Sequence, residues 1–414
     1  MEILLVSHRF FCHSIGGTEV LTNNIAQTMT RRGHHVVWLA VGEERGISEI
    51  LFRKCDDGVM EWEISPGFST SYPLDWASQE ETQTRKIQRG IKELKQFFSV
   101  IHLFHFARIG LQFLELPFFD QSQVVVTLTD YTCICPDYQL YHWPSNTICS
   151  PNVAPSECIE CLNQKTGASD VDSWRTRNIE FLNRRASVVY TQTPEQRRLL
   201  VESGLRNDRV IEDCASYMIP CKWQKEKPKN DHRFCFGFVG RLSREKGLQI
   251  VLSIFRQLHE LTGCQLDVYG TVDSESTHLK NLLKLIAETP GVKLYAPVSL
   301  SELGSVLQSF DCLIIPSIWL ENHPLVLTYA LSLGVPVLCS RVPSLWHLRH
   351  KKGIHFVEMG DQALWLKAMR RMTQNSKTQS FHLSECLSTM REEFDKFVSR
   401  LERVYQFGKR YYDR

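Results

Sequence analysis

The chain has 414 residues, 48 basic against 46 acidic side chains for a formal charge of +2, and 14 cysteines. At about 150 residues per domain this allows two or three domains, each able to bury its own core. The 43% hydrophobic and 10% aromatic content excludes wholesale disorder, and the near-neutral balance excludes a general nucleic-acid binder.

The opening MEILLVSHRF has Glu2 and an apolar run of only four residues, unlike the basic lead and longer stretch of a secretory peptide. No apolar run approaches the ~18 residues of a spanning helix. The expected location is the cytoplasm, where thiols stay reduced.

In chain order, Ile3–Val6 is predicted as a strand, Ser7–Gly17 as a loop and Thr18–Arg31 as a helix closed by Gly33. Val36–Val41, Val100–Phe104, Val124–Leu128, Ala186–Tyr190 and Val210–Ile211 read as further strands. Lys222–Asp231 is charged, holds Pro228 and has no apolar period, so it reads as a linker. The alternation restarts with strand Phe234–Val239, helix Leu248–Leu261, strand Leu266–Tyr269 and helix Thr277–Glu288. Val292–Tyr295, Cys312–Ile315, Val335–Cys339 and Ile354–Val357 continue it as strands, and Glu392–Tyr405 is a closing helix. Alternating strands and helices predict parallel, doubly wound sheets. The fold class is α/β: two tandem Rossmann-like domains facing across a cleft, with the last helix returning to the first. The expected divisions are a first domain 1–215 with a cysteine-rich loop 130–165, a linker 216–232, a second domain 233–386, and a crossing helix and tail 387–414.

Such sheets bind ligands beyond the carboxyl ends of their strands, and three loops there stand out. Gly240-Arg241-Leu242-Ser243-Arg244-Glu245-Lys246-Gly247 follows the first strand of the second domain; Arg241 and Lys246 suit a phosphate or diphosphate, or are ordinary surface charges on a turn. Pro316–Leu325 follows Cys312–Ile315. There Pro324 fits the first position of a helix capped by Asn322 or His323, whose amides favour an anion. Glu321, just before it, is placed to accept from ligand hydroxyls, or merely caps the helix. Ile15-Gly16-Gly17-Thr18-Glu19 opens the first helix with paired glycines, which offer amides to a phosphate or form a plain tight turn.

With GGTEV near the start, FVGRLSREKG opening the second half and PSIWLENHPLVLTYALSLGVPV near its end, the chain resembles the retaining glycosyltransferases of the GT-B fold, family four (glycosyl transferases group 1). That resemblance implies that Arg241 and Lys246 hold the donor diphosphate, helped by amides at Gly16–Gly17 and Pro324–Leu325. It places Asn322 and His323 beside the donor, backbone around Val298 against its base, and Glu321, the first glutamate of a Glu-x7-Glu motif, against the transferred sugar. The leaving phosphate takes the acceptor's proton, so no catalytic metal is expected. The implied partners are a nucleotide-sugar donor and a glycan or lipid-linked acceptor, with retention of configuration, in polysaccharide or glycoconjugate biosynthesis.

Two positions depart from the pattern. Tyr329 stands where the second glutamate would bind the donor ribose, and a phenol accepts one such bond but cannot reproduce a two-point grip. Thr129-Asp130 stands where many relatives have His-Asp on the substrate side; His102 and His105 read as strand-end histidines in satisfied environments. These departures keep open a second reading, a catalytically silent GT-B protein serving as a binding or scaffold subunit. A third, a metal-dependent redox or nucleic-acid module, leaves the two-domain layout unexplained.

Cys135, Cys149, Cys158 and Cys161 give C-x13-C-x8-C-x2-C, with Cys133 spare. That spacing suits structural zinc or, second, an iron–sulfur cluster, the alternatives being free thiols or disulfides. The polar, turn-forming text between them predicts little core of its own. Finally, Lys86–Phe98 sets basic residues beside Ile87, Ile91, Leu94 and Phe98 at helical spacing, which fits a helix packed on the sheet or peripheral contact at the inner face of a membrane.

Overall fold

The structure, a computed structural model, describes residues 1–10, 16–42, 50–55, 57–64, 80–94, 96–151, 153–163, 171–213, 233–271, 277–374 and 383–408. The expected linker 216–232, Ile15 and the tail 409–414 lie outside the described residues. The chain divides into two compact units, Met1–Tyr217 with Phe394–Arg414, and Met218–Glu393.

The first unit contains β1 (Glu2–Val6), α1 (Gly17–Arg31), β2 (His35–Val41), β3 (Ile50–Lys54), β4 (Met60–Ile64), α2 (Glu80–Leu94), β5 (Val100–Leu103) and β6 (Gln123–Leu128). After these come β7 (Tyr141–His142), β8 (Thr147–Ile148), α3 (Pro155–Asn163), α4 (Val171–Arg185), β9 (Val188–Thr191), α5 (Pro194–Glu202) and β10 (Val210–Glu212). One sheet takes the order β10-β9-β6-β5-β1-β2-β4-β3. Its pairs are parallel except β3–β4. Ile3, Leu4, Leu5 and Val6 are fully buried, which explains an unbroken apolar run rather than an alternating one.

Helix α2 spends its apolar stripe inside this unit. Ile87 and Ile91 are buried, and a Cβ at Gly90 would lie 2.1 Å from the Trp62 ring, so helix backbone and indole are in close contact. The stripe that also fitted a membrane surface is therefore core.

The second unit contains β11 (Cys235–Arg241), α6 (Leu248–Thr262), β12 (Gln265–Thr271), α7 (Thr277–Glu288), β13 (Val292–Tyr295) and α8 (Leu300–Gln308). It continues with β14 (Cys312–Ile315), α9 (Leu325–Ser332), β15 (Val337–Ser340), β16 (Ile354–Val357) and α10 (Gln362–Gln374). Its sheet is parallel throughout in the order β13-β12-β11-β14-β15-β16. This is doubly wound topology, with the order reversing between β11 and β14. Phe236, Leu248, Phe255, Leu266, Ile314 and Trp365 lie in its core.

The last helix, α11 (Leu383–Phe407), ends within the first unit. Glu402 accepts from Arg32 at 2.9 Å and faces His34 Nε2 at 2.7 Å, while Arg400 pairs with Asp213 at 2.8 Å. Tyr405 reaches His102, whose other ring nitrogen meets Thr127 Oγ1 at 2.8 Å. Burial pushes His102 down to about 3, so it is a neutral core residue, as a satisfied strand-end histidine should be.

The cysteine-rich loop corrects an expectation. Among the described residues no group of three or more His, Cys, Asp or Glu side chains is placed to hold a metal ion. Cys135, Cys149, Cys158 and Cys161 are free cysteines, none of them in a disulfide. Burial, then the neighbouring thiols of Cys161 and Cys158, pushes Cys149 up to about 12, and Cys158 Sγ accepts from Arg175 at 3.2 Å. The order comes from aromatic packing instead. Tyr131, Leu140, Tyr141 and Trp143 are buried, the Trp143 indole donates to Asp137 at 2.9 Å, and Arg175 donates to the Ile134 carbonyl at 2.8 Å. The loop thus has a small core that its polar spacers concealed.

Candidate functional site

Each sheet brings chemistry to its own switch point, where loops diverge and leave a crevice. In the second unit the loops follow β11 and β14. Gly247 has φ 71°, and a Cβ there would sit 1.9 Å from the Pro316 carbonyl oxygen, so only glycine lets the two loops approach this closely. The Ile318 amide donates to the Glu245 carbonyl at 2.9 Å, a second tie.

Between the joined loops, Lys246 Nζ donates to Glu321 Oε1 at 2.6 Å and Ser317 Oγ donates to the same oxygen at 2.7 Å. Ser344 Oγ donates to the Glu321 carbonyl at 2.5 Å. Burial alone would raise the Glu321 pKa, but the Lys246 charge and these hydrogen bonds outweigh it and hold the carboxylate below the usual range. Lys246 also lies 5.2 Å from the centre of the Trp319 ring. Arg241 pairs with Glu245 Oε1 at 3.1 Å, and its own side chain is half exposed. The expected trio thus divides into two adjacent pairs, Lys246–Glu321 and Arg241–Glu245. Glu245 was overlooked in the sequence; its signal is the spacing of four from Arg241.

The remaining donor-side residues fall as follows. Pro324 is the N-cap of α9, with φ −64° and ψ 115°, and the helix begins at Leu325. Proline has no N–H, so the amide donors start at Leu325, one position later than expected. Asn322 is buried. Burial, then the charges of Lys351 and His347, lowers His323 to about 4, and its Nε2 meets Thr328 Oγ1 at 2.9 Å; it is a neutral imidazole. Val298 is half-buried, between β13 and the Ser299–Glu302 capping box of α8. Tyr329 differs from expectation: its side chain has 0% exposure. Its ring is fully enclosed within the unit.

In the first unit the switch point lies between β1 and β5. Gly16 is the N-cap of α1 in extended conformation. A Cβ there would lie 2.4 Å from Glu19 Oε2, because Glu19 folds back over the helix start. Glu19 Oε1 is 3.1 Å from His8 Nε2. Burial pushes the Glu19 carboxyl up to about 7, against the lowering pull of helix amides and of His105 and Arg9. An anion approaching the Gly16–Gly17 amides therefore meets a carboxyl group first.

Thr129 ties elements together: Thr18 Oγ1 donates to it at 2.8 Å and it donates to the Phe104 carbonyl at 3.3 Å. Asp130 accepts from the Thr132 amide at 2.8 Å and faces His105 Nε2 at 2.8 Å. The Ala107 amide donates to His105 Nδ1 at 3.0 Å, which leaves the ring proton on Nε2 for Asp130. The His8 and His105 rings lie with centres 4.3 Å apart, tilted by 46°. The imidazole missing beside Asp130 in the sequence is thus supplied from the neighbouring strand. His8, Glu19 and His105 were not legible as a cluster, because the loop after β1, the first turn of α1 and the loop after β5 bring them together.

With this geometry in place, the class follows from the fold: α/β with parallel sheets, matching GT-B glycosyltransferase structures. A sucrose-phosphate synthase from Thermosynechococcus elongatus aligns at TM-score 0.72 and 14% identity, covering 98% of each chain. Anabaena HepE in complex with UDP and glucose aligns at TM-score 0.67 and 13% identity, covering 98% of this chain and 100% of that one. Residues 221–381 match the model of the family Glycosyl transferases group 1. An uncharacterized glycosyltransferase of Methanocaldococcus jannaschii is 22% identical over 353 residues, 84% of this chain and 82% of that protein. An uncharacterized protein in the cps region of Klebsiella pneumoniae is 23% identical over 375 residues, 86% of this chain and 90% of that protein. Among the described residues no helix is long and apolar enough to cross a membrane.

Proposed function

We propose that the chain is a retaining glycosyltransferase that moves a hexose from a nucleotide-sugar donor to a glycan or lipid-linked acceptor, in the cytoplasm or at the inner face of a membrane. The observation that carries this reading is the Lys246–Glu321 pair, 2.6 Å apart at the switch point of the domain matched to the family. Lys246 and the half-exposed Arg241 are cations on tightly tied loops, suited to the charge that develops on a departing nucleoside diphosphate. Glu321 holds its charge within this pair and can accept from a sugar hydroxyl once the diphosphate draws Lys246 toward it. The Leu325 amide, at the positive end of α9, adds a fixed donor. In this reading the leaving phosphate takes the acceptor's proton, and the fixed cations do the electrostatic work without a catalytic metal. The HepE complex with UDP and glucose supports looking for a nucleotide sugar first.

A thermal-shift screen against UDP, GDP, ADP and their sugar conjugates tests the proposal. Ligand at ~100 times its dissociation constant adds about 2.7 kcal/mol of stability. The expected result is a clear rise in Tm with one nucleotide family. A folded protein silent across the panel would favour the non-catalytic binding subunit, the reading that Thr129 and the buried Tyr329 kept open.

A further inference from the structure

A second concave site lies within the second unit, away from the Lys246–Glu321 pair. It is a groove of about 920 Å³ bounded by the end of α9, the edge strand β16 and helix α10. That volume falls within the range of about 300–1,000 Å³ typical of small-molecule sites.

Helix α10 has two stripes. Trp365 and Met369 are fully buried in the core. Leu364, Lys367, Ala368, Arg371 and Met372, at i, i+3, i+4, i+7 and i+8, line the groove, with Ala368 and Met372 also packed against that core. Leu331, Val335 and Leu338 add apolar surface to its lining, and Trp346 packs edge-on to Phe356 with ring centres 5.4 Å apart. Leu364 is 43% exposed and Trp346 40% exposed, so large apolar surface here meets solvent.

The charge around this apolar trough has one sign. Arg349, Lys352, Lys367 and Arg371 line it and have no acidic partner among the described residues. The acidic lining residue, Glu358, is neutralised by Arg341 at 3.0 Å. Arg341 and Arg349 also lie 5.3 and 5.9 Å from the centre of the Trp346 ring. Uncompensated cations around exposed apolar surface are complementary to a ligand that is apolar in body and anionic at one end.

We propose that this groove binds an anionic amphiphile, with a hydrocarbon body in the trough and a phosphate or carboxylate head on the Arg349, Lys352 and Arg371 side chains. The site is independent of the donor reading, since the groove lining includes neither Lys246 nor Glu321.

The full chain is titrated with dodecyl phosphate below its micelle concentration, reading tryptophan emission, with dodecyl maltoside as the neutral control. Saturable quenching by the phosphate, at least tenfold tighter than by the maltoside and absent in Trp346→Phe, is expected. Arg371→Glu and Leu364→Glu, both at exposed positions, should each weaken it at least tenfold, while Lys246→Ala leaves it unchanged. Equal affinity for the maltoside, no saturable signal, or unaltered binding in both groove variants would overturn the proposal. Co-sedimentation with phosphatidic acid–phosphatidylcholine vesicles, lost in Arg371→Glu, would locate the head in a bilayer; saturable binding of the monomeric probe alone would make the ligand a soluble amphiphile. Nucleotide binding is read separately, so loss of the donor reading leaves this test intact.

Discussion

The two units share a parallel, doubly wound topology, yet their switch points carry opposite electrostatic solutions. In the second unit a lysine and a glutamate are buried together, each charge answering the other. In the first, Glu19 is buried against His8 and pushed up to about 7, so near neutral pH the cluster exchanges a proton instead of holding a fixed charge. Topology decides where chemistry collects, and side-chain pairing decides what kind it is. A site with fixed cations suits a diphosphate at any physiological pH, whereas a site built on a titrating carboxyl is sensitive to pH.

The sharpest way to break this contrast is Lys246→Ala. It leaves Glu321 buried without its counter-charge, which costs about 3 kcal/mol or more, and it should weaken nucleotide-diphosphate binding more than tenfold. Denaturant unfolding and calorimetric titration read the two effects separately. Parental affinity would remove Lys246 from the phosphate site.

Glu19→Gln tests the other side. The folded pKa of about 7 lies above the ordinary 4.5, so folding favours the protonated acid. That stability is complete below pH 4.5 and fades as pH rises through 7, a difference of about 3 kcal/mol. The variant should flatten this part of the pH–Tm profile and be more stable than the parent at pH 8. A profile with the parental slope would mean that Glu19 is charged throughout.

The smallest expected effect is at Tyr329→Phe. With the ring enclosed in the core, nucleotide affinity should change less than about twofold, and stability by about 1 kcal/mol. A tenfold loss of affinity would place the phenol on the ribose after all.

The elements themselves were legible because their signals are local and strong. β1, β11 and β14 are unbroken apolar runs, and α1 and α6 follow glycine loops at helical period. The charged loops after β11 and β14 were legible for a related reason: Arg241, Lys246 and Glu321 lie in short stretches whose glycine, proline and charge order is read directly. The burial of Tyr329 was not legible, because a helix position next to a site has two faces and spacing alone did not say that this ring is enclosed. The cysteine loop misled in the same way. A C-x2-C knuckle names ligand types, but spacing did not show that Tyr131, Tyr141 and Trp143 would be buried and order the loop.

By itself the sequence determined the α/β class, most of the parallel strands though not β3 and β4, and the loops that carry charge, since each depends on residues adjacent in sequence. Tertiary structure alone decided that Lys246 would neutralise Glu321, that His105 would serve Asp130 from another strand, and that Glu19 would close over Gly16. Those pairings depend on which strand ends become neighbours, 75 positions apart for Lys246 and Glu321 and 25 for His105 and Asp130. The free energy that selects them comes from burying whole sheets, which no local stretch of sequence contains.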